Sequence, residues 1–442
     1  MTDAVCDGGA LLERLRELPG GRLLLELACG RDDVELVGGA ARDLLLGREP
    51  RELDVVVDGS AEAFAGRIAA IVDCRFAADD GQRCSLDTHE RFGTAVVTWR
   101  RGRIDVATRR SESYATPGAL PEVRPGTREQ DLQRRDFTVN AIAVPLGGAQ
   151  RGELRAAPHA LEDLANGRLR VLHERSFLDD PTRLLRLARY RARLSFELDE
   201  QTARLADDAL AAGALATVSQ ARIGAELRLA LAEPDALGAL ESLAALGVLS
   251  ALHEAIELDA PLARAALAAL PPGPEAWPDV LLLGSLLLPA ATYDTTNYET
   301  RLRALLDGFE FPAAERERAA HSAILAPRIA ERLRHARRPS QIYDVAHEAP
   351  LEAVALAAAL AGAERHEAAA EAARRWLSEL RHVRLSINGD DLIDAGLQRG
   401  PRIGDALERA LRRRLDGELA DGREAELDAA LERGGVGAER GS

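Results

Sequence analysis

The stretch that decides the fold is Val34–Gly59, VELVGGAARDLLLGREPRELDVVVDG. Val34 to Val37 reads as a short apolar strand that runs into Gly38-Gly39 and then into a helical pattern, Ala40 to Leu46. A second apolar run, Leu53 with Val55 to Val57, carries two acids at its head, Glu52 and Asp54. Side chains two apart on a strand point the same way, about 7 Å from each other. Two negative charges so placed repel unless a cation sits between them or water solvates them. A divalent cation and a solvated strand end are the two readings of this pair.

Working outward, short β-branched runs continue to about Pro145, among them TAVVTW (94–99), RIDVAT (103–108) and AIAV (141–144). Helical patterns such as AEAFAGRIAAIV (61–72) lie between them. The segment 94–108 is two apolar runs around an Arg-Gly turn, which predicts a hairpin. Upstream, residues 1–30 read as a leucine-rich helix broken at Pro19-Gly20-Gly21. Beyond Glu162 nearly everything has helical period, punctuated by Pro and Gly. The expectation is one small mixed α/β domain followed by helical domains, with the last eight residues (435–442) without structure.

The totals agree with a folded, multi-domain chain: 442 residues, 46% apolar and 29% charged. No apolar run approaches the ~18 residues of a membrane span, and the start of the chain does not read as a signal peptide. The four cysteines show neither CxxC spacing nor neighbouring His, which fits a reducing cytoplasm. A net charge of -15 argues against indiscriminate coating of nucleic acid. All 57 basic residues are Arg, so any phosphate contact is made by a guanidinium fork.

Three features carry possible chemistry. The Gly38-Gly39 helix start offers free backbone N–H groups to an anion, with Arg42 one turn on; a simple tight turn fits the same residues. The acid pair follows at once. A third acid, Asp105, lies on the second strand of the predicted hairpin. Three carboxylates on adjacent strands beside a phosphate-binding helix start are what metal-assisted phosphoryl transfer requires.

Five ordered segments then give a resemblance. LVGGAARDLLLG with ELDVVVDG, RFGTAVV, IDVATRRSESYATPGALPEVRPGT, DLQRRDFTVNAIAV and FLDDPTRLLRLARYRARLSFELD resemble the class II tRNA nucleotidyltransferase and bacterial poly(A) polymerase family. The match is dense from Val34 to about Leu198 and thinner through SQARIGAEL (219–227) and INGDDLIDAGLQRGPRIGDAL (387–407). The resemblance implies an α/β head of polymerase-β nucleotidyltransferase type, followed by all-α neck, body and tail domains. The expected division is 1–30 N-terminal helical segment, 31–148 head, 149–215 neck, 216–330 body and 331–442 tail. It also implies Mg2+-dependent transfer of CMP or AMP from CTP or ATP to the 3′ end of tRNA, without a nucleic-acid template.

Within that resemblance Gly38, Gly39 and Arg42 hold the triphosphate. Glu52 and Asp54 take the metal-binding Asp-x-Asp positions, and Asp105 the third acidic position. Arg135 and Asp136 match nucleotide and ribose contacts, supported by Asn140. The base-reading motif is Asp179-Asp180-Pro181-Thr182-Arg183, with Arg186 and Arg189 further along the same helix. Residues three apart share a helical face, so an acceptor and a donor can project side by side toward a base edge. Asp180 before Pro181 is equally a helix N-cap. Arg168 to Arg193 holds eight Arg against three acids, a basic stripe suited to an RNA end. Residues 409–417 (RALRRRLDG) form a further basic patch in the tail.

The sequence departs from the family at Glu52, where Asp is usual. One methylene moves a carboxylate about 1.5 Å, and displacements near 1 Å cost about a hundredfold in rate, while Mg2+ is strict about octahedral geometry. The expectation is that Glu52 still ligates Mg2+. Full CCA addition, CC-only or A-only addition and poly(A) tailing share these motifs; the long tail favours tRNA. A catalytically weakened RNA-binding protein on the same scaffold is the alternative that Glu52 supports.

Overall fold

The computed structural model describes residues 7–80, 84–89, 92–291 and 298–432. The C-terminal residues expected to lack structure lie outside these. The chain divides into two compact units, 1–226 with 245–252, and 227–244 with 253–442.

In the first unit α1 (Gly8–Glu17) and α2 (Gly21–Leu27) form the two halves of the leucine-rich start, with Asp7 capping α1 through the Gly9 and Ala10 N–H groups. Strand β1 (Val34–Val37) then meets α3 (Gly38–Leu45), β2 (Leu53–Val57) and α4 (Ala61–Asp80). Strands β3 (Ser85–His89), β4 (Thr94–Trp99), β5 (Gly102–Thr108), β6 (Arg110–Ser113) and β7 (Glu122–Pro125) follow. After α5 (Arg128–Gln133) come β8 (Ile142–Pro145) and β9 (Arg155–Ala156). Seven strands join one sheet in the order β3-β4-β5-β2-β1-β8-β9, while β6 and β7 pair separately. Among the described residues of the large sheet β2 and β5 pair parallel and the other neighbours antiparallel.

The predicted hairpin over 94–108 is β4–β5, closed by Trp99 opposite Gly102. Val55, Val56 and Val57 are all buried, as expected for a strand covered on both faces. Each such side chain contributes about 1.5–3 kcal/mol on burial. Helix α4 packs on β2, β4 and β5, and α3 on β1, β2 and β8. The β1–α3 junction and the head of β2 are thereby fixed by the central sheet.

The chain continues through α6 (Ala160–Asn166), β10 (Arg168–Leu169), α7 (Ser176–Asp179), α8 (Thr182–Leu194), β11 (Glu197–Leu198), α9 (Glu200–Ala211) and α10 (Gln220–Leu231). Beyond the two-residue strands β10 and β11, all described elements are helical, as the periodicity predicts.

The second unit centres on the helix Leu351–Ala363, LEAVALAAALAGA, buried along most of its length. Its one early acid, Glu352, is 0% exposed and accepts from Arg318 at 2.7 and 3.0 Å and from the Trp277 N–H at 2.7 Å. A smaller core of Ile387, Leu392, Ala406, Ala410, Ala429 and Ala430 gathers the last three helices. The basic patch predicted over 409–417 is largely neutralised there. Arg412 pairs with Glu408 (2.8 Å) and Asp344 (3.3 Å), Arg413 with Glu432 (2.7 Å), and Arg414 with Glu426. Arg409 donates to the Ala430 carbonyl at 3.1 Å. No helix among the described residues is long and apolar enough to cross a membrane.

Candidate active site

The acid pair and the glycine turn meet at the centre of the large sheet. Glu52 sits half-buried just before β2, and Asp54 is the second residue of that strand. Parallel pairing of β2 with β5 sets Asp54 directly beside Asp105. Gly38 takes the left-handed conformation (φ 64°). A Cβ there would stand 2.9 Å from Arg135 Nη1 and 3.6 Å from Asp54 Oδ2, so a side chain would intrude on both. A Cβ on Gly39 would lie 3.8 Å from Asp54 Oδ2. The turn, the acid and Arg135 therefore share one small space.

Electrostatics there are strained. The Asp54 carboxyl is pushed up from 3.8 to about 7, first by burial, then by Glu52 and Asp105; Arg135 and a hydrogen bond from the Ala40 N–H pull the other way. Three acids crowd without enough positive charge, an arrangement that fits a divalent cation. The sequence leaves Arg103 unmarked. Its guanidinium clasps Asp105 two-handed, Nε to Oδ1 and Nη2 to Oδ2 both at 2.7 Å. The Arg103 proton is held more tightly than usual through that bond, against burial, with Glu52 and Asp54 adding to the pull. Among the described residues no three His, Cys, Asp or Glu side chains are grouped to hold an ion. The converged triad expected from sequence is thus only partly assembled: Asp54 and Asp105 are neighbours, but Asp105 is turned to Arg103.

Arg42 corrects a second expectation. Placed one turn into α3, it is 1% exposed rather than open to a triphosphate. Its Nε donates to Asp43 Oδ1 at 2.8 Å, its Nη1 to Asn140 Oδ1 at 2.6 Å, and it stacks over Tyr190 at 5.2 Å. The physical reason is burial: a guanidinium there must have all its partners in the protein.

From Arg42 the network runs on. Asn140 Nδ2 donates to Asp136 Oδ1 at 2.9 Å, and Asp136 Oδ2 lies 2.8 Å from Arg186 Nη2. Burial raises the Asp136 pKa, but Arg186 and Asn140 outweigh it and hold the carboxyl below its ordinary value. Arg135 donates to Asp131 at 3.0 Å. Arg135 Nε and Arg186 Nε are buried without a hydrogen-bond partner among the described residues, which favours a ligand that brings acceptors. Arg189 pairs with Glu226 at 3.3 Å.

The segment expected to read the base, Asp179 to Arg183, has its side chains bonded within the protein. Asp179 accepts from Arg175 at 3.1 Å. At the start of α8 Asp180 Oδ1 accepts from the Thr182 N–H (3.2 Å) and hydroxyl (2.6 Å), and also from Arg222 Nη2 at 2.7 Å. Arg183, 3% exposed, donates to Ser176 Oγ at 2.6 Å and to the Arg134 carbonyl at 2.8 Å. The N-cap of α8 is Pro181, one position later than expected, and Asp180 steadies the first turn through Thr182. A cavity of about 640 Å³ adjoins this motif, lined among others by Tyr114, Arg134, His173, Asp179 and Arg183. Burial, then Glu112, pushes the Tyr114 hydroxyl up to about 12.

Beyond Arg103, sequence reasoning missed Arg222 and Glu226. They stand four apart on α10, so they share a face, one holding Asp180 and the other Arg189. The i, i+4 pairing of opposite charges in ARIGAEL (221–227) was the available signal.

The family described as Poly A polymerase head domain matches residues 34–170. The A-adding tRNA nucleotidyltransferase of Geobacter sulfurreducens is 33% identical over 428 residues, 93% of this chain and 47% of that protein. The CC-adding tRNA nucleotidyltransferase of Deinococcus radiodurans is 39% identical over 203 residues, 46% of this chain and 50% of that one. Among solved structures, the Thermotoga maritima CCA-adding enzyme complexed with tRNA superposes with a TM-score of 0.71 at 28% identity, covering 96% of this chain and 98% of that one. The chain spans about half the length of the curated relatives it matches.

Proposed function

We propose that the chain is a member of the tRNA nucleotidyltransferase and poly(A) polymerase family and adds CMP, AMP or both to the 3′ end of tRNA without a template, a reading that the family match over 34–170 and the related sequences and structures support. The observation that carries the proposal is the register of Asp54 beside Asp105 at the Gly38-Gly39 turn. Members of the family generally use a divalent metal. Glu52 and Asp54 would hold Mg2+, with Asp105 as the third acid. When bound, such an ion would supply positive charge to the reacting phosphate and to the attacking 3′ hydroxyl.

The chain's own residues do the rest. The backbone of Gly38 and Gly39 lets the triphosphate approach closely, and Arg135, beside Gly38, adds a cation. Asp136, oriented by Asn140 and Arg186, accepts from the ribose. Asp180 accepts from the exocyclic amino group that C and A share, and Arg183 donates to the neighbouring ring nitrogen, so protein side chains stand in for a template. Arg42 acts from behind, holding Asn140 and the start of α3 in place. Arg186 and Arg189 flank the nucleotide. The protein works in the cytoplasm, a reading supported by cysteines that show neither CxxC spacing nor neighbouring His.

A-only addition has a specific point in its favour: three relatives at 33%, 40% and 38% identity are named A-adding. Incubation with Mg2+ and tRNA lacking its 3′ end, with labelled CTP alone, ATP alone and both, tests the proposal and assigns the nucleotide. Incorporation that disappears in Asp54→Ala is expected; none under any of the three conditions refutes it.

A further inference from the structure

We propose that Arg103 is the chain's own counter-cation for the metal-binding carboxylates: it holds Asp105 until a metal ion takes its place. The inference rests on the reading of Glu52, Asp54 and Asp105 as metal ligands. Arg103 and Asp105 are two apart on β5 and so project from the same face of the sheet. The fork engages both carboxylate oxygens at 2.7 Å, the geometry in which a guanidinium binds a carboxylate most tightly. Asp105 stands opposite Asp54 in the β2–β5 register, yet the described acids do not converge on one point. The clasp accounts for that. A carboxylate turned into the plane of a guanidinium cannot present the same lone pairs to an ion beside Asp54.

Release is physically easy. The Arg103 side chain is 47% exposed and Asp105 28%, so the stem can swing into water without opening a core. On β4 the residue opposite Arg103 is Thr98, which offers no charge to compete for the guanidinium. Metal entry is then an exchange of one cation for another at Asp105. Such an exchange keeps the three acids from repelling the sheet apart when no ion is bound, and it lowers metal affinity by the strength of the clasp.

The test is equilibrium Mn2+ binding to full-length, metal-stripped protein without nucleotide, read from the electron paramagnetic resonance signal of free Mn2+. Arg103→Gln is expected to bind Mn2+ about fivefold more tightly than wild type, the equivalent of a strong exposed ion pair. Arg103→Lys, a point charge without the fork, should fall between. Asp54→Asn should abolish binding in both backgrounds, which tests the metal site separately. Equal or weaker binding by Arg103→Gln, with Asp54-dependent binding intact, overturns the role of Arg103 alone. If neither protein shows Asp54-dependent binding, both readings fail. A second measurement leaves the wild type unaltered: its Arg103 Nε–H resonance, identified by its absence in Arg103→Gln, should move on addition of Mg2+. A resonance that stays in place also overturns the exchange.

Discussion

Asp54→Asn should stabilise the metal-free protein, and do so most above pH 7. The Asp54 carboxyl is raised from 3.8 to about 7 by burial, Glu52 and Asp105. An acid whose folded pKa lies above its unfolded value binds its proton more tightly when folded. The wild type therefore loses stability as pH rises from about 4 to about 7, and the loss is complete above that. The full gap corresponds to about 4 kcal/mol at 1.36 kcal/mol per pH unit. Asp54 is partly open to water, so the working figure is about 1–2 kcal/mol after screening. Asn keeps an acceptor for the Ala40 N–H and removes the charge. Thermal unfolding in chelator from pH 4 to 8.5 should give equal Tm values near pH 4. At pH 8 the variant should melt about 4 °C higher, as expected for a unit of roughly 200 residues. Millimolar Mg2+ should raise the wild type and leave the variant unchanged. A gap between the two proteins that does not vary with pH, or a variant less stable at pH 8, refutes the charge crowding.

Arg42→Ala should cost about 3 kcal/mol in urea unfolding, because it strips Asp43 and Asn140 of a buried partner; a change below about 1 kcal/mol would return Arg42 to the phosphate. Arg222→Ala should raise the nucleotide KM about tenfold with kcat little changed, since it unties Asp180, and Arg222→Lys should recover part of the loss. Equal falls in kcat and kcat/KM would mean that Arg222 acts in the transition state instead. Glu52→Asp should change kcat by less than about tenfold from an active wild type. An inactive wild type rescued by that substitution would show that the longer acid disables the site.

Local pattern made much of the head legible. Val34–Gly59 announces a strand, a glycine turn, a helix and an acid-bearing strand, and each is where the spacing puts it. The β4–β5 hairpin follows from two β-branched runs about Arg101-Gly102. What local pattern does not carry is partnership over distance. Arg42 looks like a phosphate fork until Asn140, 98 residues on, is found against it. The parallel pairing that sets Asp54 beside Asp105 joins strands separated by α4, β3 and β4. Arg103 illustrates the opposite failure. Its i, i+2 relation to Asp105 is legible from strand alternation, but alternation gives only the shared face, not that the guanidinium closes on the acid. In the tail, Arg412 to Arg414 read as a basic surface because their acidic partners Asp344, Glu426 and Glu432 come from other helices.

The most direct measurement is anomalous diffraction from crystals of the full chain soaked with Mn2+ and a non-hydrolysable analogue of CTP or ATP. The account predicts a manganese peak bonded to Glu52 and Asp54, with Asp105 turned toward it, Arg103 displaced, and the triphosphate beside Gly38-Gly39. A bound nucleotide with no manganese at those carboxylates, and Arg103 still closed on Asp105, would contradict it.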